Sequence, residues 1–162
     1  MMLEQIAKNL VMLKQEFAQL YHGHSHIQEF IPISASESFP INDGDLKSLH
    51  NFAAQNPIYH NSYDQKIAGI LCKVYEGDIN EYWLNSIKHG SSCQPFYPTW
   101  ILSAYIATSI AKSFNYKELV DIGSGDGRIA YCAKILDLQA TRIEIDYVLV
   151  DIKNTISVET KV

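Results

Sequence analysis

Residues 117–130, KELVDIGSGDGRIA, place three glycines at alternate positions, Gly123, Gly125 and Gly127, between an apolar run and a helical pattern. KELVDI (117–122) predicts a strand and GRIAYCAKILDL (127–138) a helix. ATRIEID (140–146) predicts a second strand with Ile143 and Ile145 on one side, and YVLVDIKNTISVET (147–160) a further helix. Strand, helix, strand, helix is the start of an open α/β sheet. A glycine-rich turn from a parallel strand into a helix leaves backbone N–H groups pointing outward at the strand's carboxyl end, where such sheets bind ligands. Three uses of the turn compete: a phosphate cradle, a nucleoside cofactor site, or a tight structural turn. A dinucleotide fingerprint needs G-x-G-x-x-G, but here the last glycine arrives one residue early and position 128 is Arg. A Walker loop, G-x-x-x-x-G-K-[ST], is absent. These departures weaken the phosphate cradle.

The acidic positions favour a nucleoside. Asp121 stands at the end of the first strand, and Glu144 follows 23 positions later at the end of the next. A carboxylate there can accept hydrogen bonds from both ribose hydroxyls. With no pyrophosphate to hold, an anionic loop containing Asp121 and Asp126 suits a ligand carrying an ammonium and a sulfonium.

VDIGSGDGRIA followed by RIEID resembles motifs I and II of the class I S-adenosylmethionine-dependent methyltransferases. With PFYPT (95–99) ahead of it, DIGSGDGRI is most similar to the small archaeal and mitochondrial protein-lysine methyltransferases. The likeness covers residues 94–152 and none of the region before. It implies a Rossmann-like domain, S-adenosylmethionine as cofactor and a methyl acceptor such as a protein lysine. It also implies roles: Asp121 orients the loop and faces the methionine end, while Gly123, Ser124, Gly125 and Gly127 wrap that tail. Glu144 holds the ribose, Asp146 approaches the adenine, and Tyr97 and Thr99 close over the methionine part. From the residues alone, Tyr97 serves equally well in packing, and Thr99 as the cap of a helix over residues 100–113.

A domain of this family has about seven strands, and residues 94–162 supply two. Its Asx-Pro-Pro-Tyr motif is not found. Asn56-Pro57-Ile58-Tyr59 is close in letters but reads as a turn. The expectation is a fragment or degenerate relative that holds a cofactor half-site, with no assignable catalytic residue and no activity alone. The competing class is a non-catalytic interaction module with a vestigial nucleotide-binding half-fold. Bare strands would be covered by the N-terminal helix or by a second copy pairing along the open sheet edge.

Upstream, Leu3, Ile6, Leu10, Leu13, Phe17 and Leu20 recur at spacings of three and four, an amphipathic helix. Residues 24–44, with Pro32 and Pro40, read as irregular. Helical patterns return at 45–55, 63–76 and 79–89, so residues 1–93 are expected to be a helical domain and 94–162 a partial Rossmann-like one. The chain has 162 residues, 47% of them apolar, and a net charge of −5, which argues against a general nucleic-acid binder. Three cysteines without a CxxC pair fit a reducing cytoplasm, and no apolar run is long enough to span a bilayer. His22, His24 and His26 alternate but have no nearby Cys, Asp or Glu to complete a metal site, so no metal is expected.

Overall fold

A computed structural model of the protein describes residues 2–20, 26–78 and 96–162. The described residues form a mixed α/β structure of five helices, a three-stranded antiparallel sheet and a two-stranded parallel sheet. Helix α1 (Met2–Leu20) buries Ile6, Leu10, Leu13 and Phe17, the seam its sequence spacing lays down.

Residues 26–78 differ from expectation. Residues 26–32, expected to be irregular, form β1 (His26–Pro32). Residues 63–76, expected to be helical, lie in a hairpin of β2 (Tyr59–Ile67) and β3 (Ile70–Asp78), and the sheet order is β1-β3-β2. The N-terminal region is therefore not all-helical. Ile67, Ile70, Leu71 and Val74 fall at helical spacing only because a two-residue turn joins two strands of period two. Ile67 and Ile70 are cross-strand partners, Cys72 and Val74 point inward, and Leu71 is 53% exposed. Ala68 (φ 46°) and Gly69 (φ 81°) supply the left-handed pair that a tight hairpin requires. The helix expected at 79–89 lies outside the described residues.

The antiparallel sheet has a helix on each face. Phe30 of β1 meets Phe17 of α1 and Trp100, with ring centroids 5.1 and 4.7 Å apart. On the other face Tyr75 of β3 hydrogen-bonds His50 of α2 (Asp43–Gln55) at 2.8 Å. Helix α2 starts where Asn42 accepts the Asp45 N–H at 2.8 Å, and it turns Leu46, Leu49, Phe52 and Ala53 inward.

The C-terminal elements follow the sequence pattern closely: α3 (Ile101–Ser113), β4 (Glu118–Ile122), α4 (Arg128–Ile135), β5 (Gln139–Ile143) and α5 (Tyr147–Thr160). Strands β4 and β5 are parallel and in register from Glu118 opposite Gln139 to Ile122 opposite Ile143. One hydrophobic cluster runs from Ile6 to Ile156 across both halves of the chain. Polar ties cross with it: the Tyr105 hydroxyl donates to Asp45 at 2.6 Å, and the Tyr131 hydroxyl to the Ser48 carbonyl at 2.9 Å.

The N-terminal helix packs on α3 and does not cover the parallel strands, so the first of the two expected covers is not the one used within the chain. Val120, Ile122 and Ile145 are 60%, 78% and 80% exposed, and Ile143 is half exposed. Alternation along β4 and β5 puts Val120, Ile122 and Ile143 on one face, which is left bare. Among the described residues no helix is long and apolar enough to cross a membrane.

Candidate functional site

The turn from β4 into α4 is built by its glycines. All three have positive φ, 72° at Gly123, 54° at Gly125 and 81° at Gly127. The reasons for glycine differ by position. Space beside Gly123 is open, so only its backbone conformation demands glycine there. A methyl group on Gly125 would lie 2.6 Å from Phe96 Cε2, so the segment before α3 closes tightly on the loop. Gly127 is crowded by Lys153 and Arg142.

The loop is anchored to the neighbouring strand. The Gly123 and Ser124 N–H groups both donate to the Ile143 carbonyl, at 2.8 and 3.1 Å. Glu144, just beyond β5, accepts the Gly125 N–H at 2.7 Å through Oε2, and the Ile145 and Asp146 N–H groups through Oε1. Asp121, Gly123, Ser124, Gly125 and Glu144 thus converge at the carboxyl ends of two adjacent parallel strands.

Within this cluster two polar atoms are buried without a hydrogen-bond partner, Asp121 Oδ2 and Ser124 Oγ. Burial pushes the Asp121 carboxyl above its usual range; the nearby Asp126 and Glu144 charges add to this and Arg142 opposes it. Asp121 Oδ2 is thus left without a donor, and Arg142 offsets its burial only in part.

The other candidate positions sit differently. Asp146 spends Oδ1 on the Val148 N–H at 3.0 Å, capping α5. Tyr97 is 79% exposed. Thr99 does not cap α3: its carbonyl accepts from Arg128, and the Ile101 N–H is taken instead by Glu29 Oε2 at 2.7 Å. A carboxylate offered by β1 outcompetes the adjacent hydroxyl because it brings charge to the helix N-terminus. His22 and His24 lie outside the described residues, and no group of three or more metal-ligating side chains is found among the described ones.

Next to the loop is a buried charge cluster that sequence patterning does not reveal. Arg128, the first residue of α4, is 4% exposed. Its Nε and Nη2 donate to Asp126, its Nη1 to Glu29 Oε2 and the Thr99 carbonyl, and its Nη2 also to the Tyr59 hydroxyl. Asn56 donates to Asp126 Oδ2 at 2.9 Å, so the Asn56–Tyr59 turn rests on the loop. Burial alone would lower the Arg128 pKa, but Asp126 and Glu29 hold it well above the ordinary value, and the guanidinium stays charged. Burial pushes the Glu29 carboxyl up to about 7, against the pull of Arg128 and the Ile101 N–H. The sequence offers only a Glu beside the apolar pair Phe30-Ile31 in β1 and an Arg at a helix start, with nothing local to join them.

No protein-family model matches the chain, and no curated protein or solved structure matches it.

Proposed function

We propose that the β4–α4 loop is the binding site for S-adenosylmethionine and that the protein serves methyl transfer to an amine such as a protein lysine. The observation that carries this reading is the orphaned pair Asp121 Oδ2 and Ser124 Oγ, buried in a glycine turn at the carboxyl ends of parallel strands. An acidic, donor-poor site suits a ligand with an ammonium and a sulfonium better than a pyrophosphate. The Rossmann-like assignment rests on the same turn and on the sequence likeness of residues 94–152.

When bound, the cofactor supplies a methyl group on a positively charged sulfur. Asp121 would face its methionine ammonium, and Ser124 would donate or accept beside it. The left-handed glycines bring the main chain close to the ligand, and Phe96 over Gly125 keeps water from that side. Glu144 already holds three N–H groups, leaving about one lone-pair position for a ribose hydroxyl. Asp146 is a structural cap first, and its part toward the adenine is secondary.

The engagement of Glu144 with its own loop also favours a second reading, a self-closed turn in a non-catalytic module. Calorimetric titration with S-adenosylmethionine separates them. The first reading expects saturable binding that Asp121→Asn weakens by about ten-fold, the loss of one charge-assisted hydrogen bond. The second expects no binding heat.

A further inference from the structure

A cavity of about 200 Å³ lies between β1 and the segment leading into α3, lined among others by Glu29, Tyr59, Tyr97, Trp100 and Arg128. We propose that this cavity is a binding site for an ammonium group, held by Glu29 Oε1 and walled by Tyr59, Tyr97 and Trp100.

The chemistry is set by what is already spent. Glu29 is 2% exposed, and its Oε2 accepts from the Ile101 N–H and from Arg128. Its Oε1 is buried and makes no hydrogen bond, although the Phe30 N–H and the Lys14 charge also act on the carboxyl. Arg128 cannot supply the missing donor, since all five of its N–H bonds are directed to Asp126, Glu29, Thr99 and Tyr59. An anionic ligand would therefore find no free donor on the guanidinium and would meet the Glu29 carboxylate. Once Glu29 is ionised, above about pH 7, Glu29 and Asp126 against Arg128 leave the bonded cluster one positive charge short. Lys14, the next cation, is bonded to Ser103 Oγ at 2.7 Å and stands over the Trp100 ring at 5.4 Å. That contact shows the ring already serving a cation, and it does not reach the orphan oxygen.

The walls agree with the charge. Aromatic faces attract ammonium groups, and the attraction grows where water is excluded. At about 200 Å³ the cavity is smaller than the roughly 300–1,000 Å³ of sites for drug-sized ligands, so it suits an ammonium head with a few methylene groups and not a nucleotide. Two sources share this chemistry: an alkylamine side chain of lysine type, or the amino group of an amino-acid ligand. The site stands on its own residues, whether or not the glycine loop holds a cofactor.

The test is a titration of the protein with n-butylammonium chloride at pH 8, where Glu29 is ionised, at constant ionic strength. The Trp100 indole N–H and the Tyr97 ring are followed by nuclear magnetic resonance, with n-butanol as the uncharged probe of the same length. Saturable shifts are expected, with affinity about ten-fold weaker for n-butanol and for Glu29→Gln. Tyr97→Ala, which removes an exposed ring, should fold and weaken binding about three-fold. In a competition arm, displacement by glycine, whose ammonium stays protonated at pH 8, at lower concentration assigns the head to an amino-acid ligand. Stronger binding of n-butylammonium assigns it to an alkylamine side chain. No saturable shift, equal affinity for n-butanol, or binding unchanged in Tyr97→Ala and in any folded Glu29→Gln overturns the proposal.

Discussion

Glu29 should make the protein less stable as the pH rises, and one substitution should abolish that dependence. In the folded protein its carboxyl is pushed up to about 7, because burial outweighs the help from Arg128 and the Ile101 N–H. Unfolded, it returns to the ordinary value of 4.5. Between those values the folded protein holds a proton that the unfolded chain has released. The stabilisation is therefore full below about 4.5 and is lost as the pH rises through about 7. At about 1.36 kcal/mol per pKa unit, the difference amounts to roughly 3 kcal/mol, a large share of a domain's stability of about 5–15 kcal/mol. Glu29→Gln keeps the shape and an acceptor for the Ile101 N–H but cannot ionise, and Arg128 keeps Asp126. Urea unfolding of both proteins at pH 5 and pH 8 measures the effect. The two should be nearly equal at pH 5, and the variant should be more stable by about 2–3 kcal/mol at pH 8, a midpoint shift of roughly 1–2 M. A difference between them that stays within about 1 kcal/mol across this range would refute the reasoning, and would mean that Arg128 compensates the buried charge in full.

Arg128→Met, which removes the shared partner of Glu29 and Asp126, should destabilise by about 3–5 kcal/mol at pH 8, checked by the same unfolding curves. Gly125→Ala should cost about 2–4 kcal/mol, since the new methyl meets Phe96 at 2.6 Å as well as a left-handed backbone, whereas Gly123→Ala should cost only about 1–2 kcal/mol for the backbone alone. Thermal melts that rank Gly123→Ala as the worse of the two would show the Phe96 contact to be wrong. Ala68→Gly should stabilise the hairpin by about 0.5–1 kcal/mol by relieving a left-handed alanine, and a loss of stability would count against the turn at 68–69. We predict that two copies pair through the bare face of the parallel strands. Sedimentation should then show concentration-dependent association that Ile122→Ser with Ile145→Ser removes, and a strictly monomeric parent protein at high concentration would exclude that surface as an interface.

The C-terminal pattern was legible because its signals are local. The strand at 118–122, the glycine turn and the helix after it each depend on neighbours within a few residues, and the convergence of Gly125 with Glu144 follows once β4 and β5 are parallel. The hairpin at 59–78 was not legible as strands, because Ile67, Ile70, Leu71 and Val74 satisfy a helical period while pairing across a turn. The cluster around Arg128 was hidden for a different reason. Glu29 and Arg128 are 99 positions apart, and only packing of β1 against the start of α4 brings them together. The cap of α3 escapes the sequence on the same account: Thr99 is adjacent, but Glu29 reaches the Ile101 N–H from 72 positions away.

Titration of isotope-labelled protein with S-adenosylmethionine, read at the backbone amides, tests the proposed cofactor site most directly. Saturable shifts concentrated at Gly123, Ser124, Gly125 and Glu144, reduced by about ten-fold in affinity in Asp121→Asn and absent with NAD, are the predicted result. No saturable shift at the loop, or tighter binding of NAD at the same amides, would contradict a nucleoside-sulfonium site in this turn.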